Sequence, residues 1–176
     1  YARNPLNELF TCTISVDLGT LSERRLAIAR NLLDKCGTPS LSAADLKKRW
    51  YQLGTDFAVR VGDQETQIVL SGLDANLEAS LALAAELLAN PTADEATLDE
   101  LKQIVRKERE DAKKDHRTIH QALGMYNRLG ELSYYRRVLS DTELEMVSLG
   151  ELAQVLRALP TYAQRWEYVG PRPLAE

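Results

Sequence analysis

From Leu9 to Leu18 apolar and polar residues alternate without a break. Phe10, Cys12, Ile14, Val16 and Leu18 fall on one face, and Thr11, Thr13, Ser15 and Asp17 on the other. A period of two is that of a strand with one face buried. Gly19 closes it, and Leu26, Ala29, Leu32 and Leu33 then recur at helical spacing, with Ser22 as the expected N-cap and Gly37 as the stop. A second helix is predicted from Ser42 through Leu46, Trp50 and Leu53 to Gly54, with Asp45 near the reciprocal capping position and Leu41 able to staple to Leu46. Phe57, Val59 and Val61 alternate again, a turn is expected at Gly62-Asp63, and Ile68, Val69 and Leu70 return as the second strand of a hairpin.

A third helix is predicted from Asp74 to Leu88 on the stripe Leu77, Leu81, Ala84 and Leu88, broken by Asn90-Pro91. Thr97 and Glu100 read as a capping box opening the longest helix, amphipathic through Leu98, Leu101, Ile104 and Val105 and then charged over Arg106–Asp111 and Lys113–Arg117. Two shorter helices follow, each announced by Ser-x-x-Glu, at Ser140–Glu143 and Ser148–Glu151. The last strand, Arg165–Val169, puts Trp166 and Tyr168 on one face, and the tail through Gly170-Pro171 and Pro173 reads as a linker. Grouped helices around an adjacent-strand hairpin predict an α+β fold with a mainly antiparallel sheet covered on one face by helices.

The chain of 176 residues is expected to form a single domain, 1–176, large enough to bury a core without disulfide or metal staples. Its 44% apolar and 27% charged residues argue for a soluble folded domain and against disorder or a membrane span. Twenty-two cationic against 26 anionic side chains give net −4, so neither nucleic acid nor an anionic membrane is expected as the main partner. Cys12 and Cys36 have neither metal-knuckle nor redox spacing, and the compartment stays open. The start at Tyr1 rather than Met, with no basic-then-apolar leader, reads as a piece cut from a longer chain.

Few constellations carry chemistry. His116 and His120 share a helix face at zinc-ligand spacing, yet Arg117-Thr118-Ile119 between them brings no general base and a repelling charge, and a solvated face explains them. Glu108, Glu110 and Asp111 cluster within the charged run, where solvation is again the default. No nucleophile elbow is present, and Gly37, Gly54, Gly62 and Gly72 lie at element ends where turn geometry accounts for them. Tyr134-Tyr135-Arg136-Arg137 reads as a loop, with tyrosine rings at the core edge and wet arginines, or as a partner contact.

Several phrases in this order resemble the pitrilysin, insulysin and mitochondrial processing peptidase family of zinc metallopeptidases. They are Asp34-Lys35-Cys36-Gly37-Thr38, the helix start at Ser42–Leu46, Leu53-Gly54 before the hairpin, Asn76-Leu77-Glu78, Leu87-Leu88-Ala89-Asn90-Pro91, and Arg106-Lys107-Glu108. The resemblance spans nearly the whole chain and implies homologous domains paired as a clamshell around a chamber. In the family's catalytic domain the first helix carries His-x-x-Glu-His, and a distal Glu on the long helix is the third zinc ligand. Here Ile28-Ala29-Arg30-Asn31-Leu32 occupies that place. Ile28 and Leu32 stand in the two ligand slots, Asn31 in the slot of the general base, and Glu108 near the distal glutamate. Aliphatic side chains cannot ligate, and a carboxamide cannot take a proton from water at neutral pH.

The resemblance therefore implies a domain with no catalytic, cofactor or metal residues of its own. Its parent would hold zinc in another, catalytic domain, and that homologous domain and a peptide or small protein substrate would be its partners. The opening Asn4–Leu9 resembles the lead-in after the linker between halves, placing the chain first in a C-terminal half. Extended peptide could add along an open sheet edge. The alternative is a structural or assembly subunit of the same fold, like a processing-peptidase partner or a respiratory core protein; a new zinc site on His116 and His120 is a third reading.

Overall fold

The computed structural model describes residues 1–173, so the last three residues of the expected 1–176 domain lie outside it. The elements run β1 (Ala2–Arg3), β2 (Leu9–Val16), α1 (Leu26–Leu33), α2 (Ala43–Leu53), β3 (Thr55–Val61), β4 (Thr66–Leu73) and α3 (Leu77–Ala89). They continue α4 (Glu95–Ala112), α5 (His116–Leu129), α6 (Tyr134–Arg137), α7 (Asp141–Met146), α8 (Leu149–Ala158) and β5 (Gln164–Gly170). One sheet of order β1-β5-β2-β4-β3 is antiparallel except where β1 pairs with the end of β5. The fold is α+β, with helices on one face.

The alternation in β2 decides which face. Phe10, Cys12, Ile14 and Val16 are buried, and their cross-strand partners Leu70, Ile68 and Thr66 on β4 are buried with them. Across β3 the same face continues with Phe57 and Val59, and a core of leucines from α1, α3, α4 and α8 closes over it. This contiguous burial is the main stabilising term. The opposite face carries Thr11, Thr13, Ser71, Arg60 and Glu167, polar side chains that no helix covers.

Local signals set most boundaries. Ser42 Oγ accepts from the Asp45 amide at 3.1 Å to start α2, and Gly54 ends it in the left-handed region at φ 57°. Both Ser-x-x-Glu sites are complete capping boxes opening α7 and α8.

Five expectations fail. Ser22 caps nothing: α1 begins later, at Leu26, after turns in which Ser22 and Glu23 donate to the Gly19 carbonyl. Gly37 is not the stop of α1, which ends at Leu33; it bridges to Thr92, and a Cβ there would fall 2.3 Å from the Leu41 carbonyl oxygen. Asp94, rather than Thr97, caps α4, accepting from the Thr97 amide at 2.8 Å; its acidic oxygen three residues earlier outcompetes the hydroxyl. The charged run is not one helix, because Asp115 accepts from the Thr118 amide at 2.9 Å and starts α5 afresh. Tyr134–Arg137 is a helical turn rather than a loop, and Arg137 is dry, its side chain only 12% exposed.

Candidate functional site

The positions singled out on α1 and α4 come together. The buried stripe Leu98, Leu101 and Val105 fixes α4 against the core, and α4 packs on α1. That packing brings Glu108, one turn beyond Val105, to a cavity of about 250 Å³ that Ile28 and Asn31 also line. Leu32, one turn further along α1, is 2% exposed and faces a separate cavity beneath α8. Three of the four positions therefore share one site, and the fourth is core.

The chemistry there does not fit a metal. Ile28 and Leu32 offer only carbon, and Asn31 Oδ1 accepts from the neighbouring Arg30 Nη1 at 3.1 Å. The remaining carboxylate, Glu108, is exposed and stands alone against a wall of three guanidiniums, Arg24, Arg109 and Arg137. Each guanidinium is held by a carboxylate of another element. Arg24 forms a fork with Glu143 at 2.8 and 2.9 Å, Arg109 pairs with Asp141, and Arg137 pairs with Asp63 at 2.9 Å. A zinc site needs at least three protein groups with lone pairs to give, and these positions supply one carboxylate and an amide already engaged.

Those pairs show in the acidities. The Arg24 fork and then the Ser140 amide hold the Glu143 carboxyl down at about 2, and hydrogen bonds from Arg137 and Thr20 keep Asp63 below the usual aspartate range. Arg137 also donates to the Leu132 carbonyl at 2.8 Å, tying the segment after α5 to the β3–β4 turn. The three arginines escaped the sequence reading because their partners lie 119, 32 and 74 positions away.

The histidines remain apart from this site. His116 and His120 are exposed on the first turns of α5, and among the described residues no three of His, Cys, Asp and Glu gather closely enough to hold an ion. Glu110 and Asp111 are exposed on α4, Asp111 facing Lys107 at 3.7 Å. Tyr134 and Tyr135 are about two-fifths exposed and meet edge-on.

No protein-family model and no curated protein matches the chain. Its architecture nonetheless matches solved structures. It superposes at TM-score 0.81 on a peptidase M16 inactive domain from Pseudomonas fluorescens, with 16% identity, covering 99% of this chain and 44% of that one. On the first half of the periplasmic protease PqqL from Escherichia coli the TM-score is 0.76 at 17% identity, covering 99% and 40%. On the ferredoxin protease FusC, solved with Arabidopsis ferredoxin, it is 0.79 at 12% identity, covering 96% and 19%. The chain thus spans less than half the length of each of these structures. Its fold is that of a peptidase M16 domain, the pitrilysin type that its sequence phrases resemble.

Proposed function

We propose that this chain is a non-catalytic domain of a zinc-dependent metalloendopeptidase, which helps enclose a peptide chamber and packs against a homologous catalytic domain. The observation that carries the reading is the convergence of Ile28, Asn31 and Glu108 on one cavity. The layout of a catalytic site is kept while every group able to ligate or activate water, apart from one carboxylate, is missing. Arg24, Arg109 and Arg137 line the same cavity, each already paired with a carboxylate of another element, and none can ligate a metal. The uncovered polar sheet face, with Thr11, Thr13, Arg60 and Glu167, is the surface we assign to the chamber wall. It is wettable and has backbone edges for an extended peptide. The fold likeness to an M16 inactive domain, and to FusC, a protease solved with a protein bound, supports the same assignment.

The full parent chain tests this. A second alternating strand followed by a helix with His-x-x-Glu-His is expected in it. Changing that glutamate to glutamine should abolish peptide cleavage, while Asn31→Ala leaves the rate unchanged. A complete parent with no such motif and no cleavage would overturn the reading in favour of a structural subunit. Cleavage lost with Asn31→Ala would move the chemistry into this domain.

A further inference from the structure

Past Gly170 the chain leaves the sheet, and residues 171–173 make no backbone-to-backbone hydrogen bond among the described residues. What holds them is one side-chain network centred on Asp74, which lies in the turn between β4 and α3 and is 8% exposed. Arg172 donates from Nε to Asp74 Oδ2 at 2.9 Å and from Nη2 to the Asp74 carbonyl at 3.0 Å. The Tyr168 hydroxyl donates to Asp74 Oδ1 at 2.7 Å and accepts from the Arg172 amide at 3.2 Å. Tyr1 completes the closure: its ring stacks on Tyr168 with centroids 6.1 Å apart, and its hydroxyl donates to the Arg172 carbonyl at 2.6 Å. All three oxygens of Asp74 are thus engaged by β5 and the segment after it. Bonds that share one poorly solvated carboxylate strengthen one another, so they are held or lost together.

Tyr1, Arg172 and Pro173 line a cavity of about 300 Å³ together with Cys12, Leu77 and Leu81. Cys12 is 3% exposed there, and burial pushes its thiol above the usual cysteine value. Cys36 is equally buried but lines two other cavities, to which Tyr1, Arg172 and Pro173 contribute nothing. The ladders that tie β5 to β2 and β2 to β4, and the leucine core behind them, do not pass through Arg172. Opening the network therefore breaks no pairing between these strands, the condition for a local opening far below the global one in cost. We propose that residues 171–173 are a strap, latched on Asp74 by Arg172, which opens as a unit while sheet and core stay folded and so gates the cavity that holds the Cys12 thiol. Glu78 takes Arg172 Nη1 at 3.1 Å, but its side chain is 85% exposed, and a solvated pair of this kind contributes little to the latch. The inference is independent of the chamber reading, because every contact in it lies within this chain.

The test is alkylation of the native chain with N-ethylmaleimide, quenched at intervals, with Cys12 and Cys36 read separately by peptide mass spectrometry. Arg172→Ala is expected to speed the labelling of Cys12 at least about tenfold and that of Cys36 by less than about twofold. Asp74→Asn, on the other side of the latch, should act in the same direction. Tyr168→Phe keeps the ring that stacks on Tyr1 and removes the hydroxyl, so it should speed Cys12 by a smaller factor. Glu78→Ala should leave both rates within about twofold of the wild type. Equal Cys12 rates in the wild type and Arg172→Ala would overturn the proposal. So would an acceleration shared by both cysteines, the mark of global opening, or an effect of Glu78→Ala as large as that of Arg172→Ala, which would put the latch elsewhere than on Asp74.

Discussion

Helices α1 and α5 present the same kind of pattern and meet opposite fates. On α1, Leu26, Ile28, Ala29, Leu32 and Leu33 are all buried, roofed by α4 and α8 and floored by the sheet. On α5, Ile119, Leu123, Tyr126 and Leu129 recur at comparable spacing and none is buried. The caps are reversed as well: α1 has no side-chain cap, while Asp115 accepts from both the amide and the hydroxyl of Thr118 at the start of α5. Tertiary packing holds α1 in spite of its poor start, and local hydrogen bonding holds α5 in the absence of packing. An amphipathic stripe thus predicts that a helix forms, and leaves open whether the same chain covers it.

The largest expected difference between the two is in stability. Leu32→Ala on α1 should cost about 2–5 kcal/mol by creating a cavity in a closed core. Leu123→Ala on α5 should stay within about 0.5 kcal/mol, as a surface change does. Chemical denaturation of the two variants breaks the comparison if their midpoints shift equally, because α5 would then be packed in solution. Next in size is the tether. Arg137→Ala removes a guanidinium that bonds the Leu132 carbonyl and Asp63, and should cost about 2 kcal/mol. Hydrogen exchange should then quicken along α5 far more than along α1, since α5 has little else holding it.

How much of this could be read in advance follows from the range of each signal. The strand alternation at Phe10–Val16, the Ser42 cap, the Gly54 stop and both capping boxes act within four residues, and the structure has each where it was expected. Ser22 and Thr97 look equally good in sequence, but Glu23 turns onto Arg25 and Asp94 supplies a stronger acceptor, so each loses to a near neighbour. The break at Lys113–Asp115 hid inside a charged run, although Asp115 and Thr118 were the signal for it. The cavity of Ile28, Asn31 and Glu108 was legible only through the resemblance, since α1 and α4 meet across some eighty residues. Its arginine wall and the Asp74 latch were not legible, because their surroundings are made by elements that the chain brings together only on folding.

The smallest predicted effect concerns acid. Hydrogen bonds from the Thr118 hydroxyl and then its amide hold the Asp115 carboxyl below the usual aspartate range. A carboxyl depressed in the folded state contributes stability above its unfolded value, and that contribution fades as pH falls through the folded one. The first turn of α5 should therefore fray in acid, visible as weakening amide NMR signals at residues 116–118. Asp115→Asn keeps an equally good capping oxygen and removes the proton, so it should hold the turn at all pH values. The start of α1 answers to a different carboxylate. The Arg24 fork holds Glu143 at about 2, so its contribution is full above the ordinary glutamate range and should fade progressively as pH falls toward that value. Asp115→Asn should leave the α1 response untouched. If the substitution also shifted the acid response of α1, the two helices would be coupled, and the separation between packed and unpacked regions would fail.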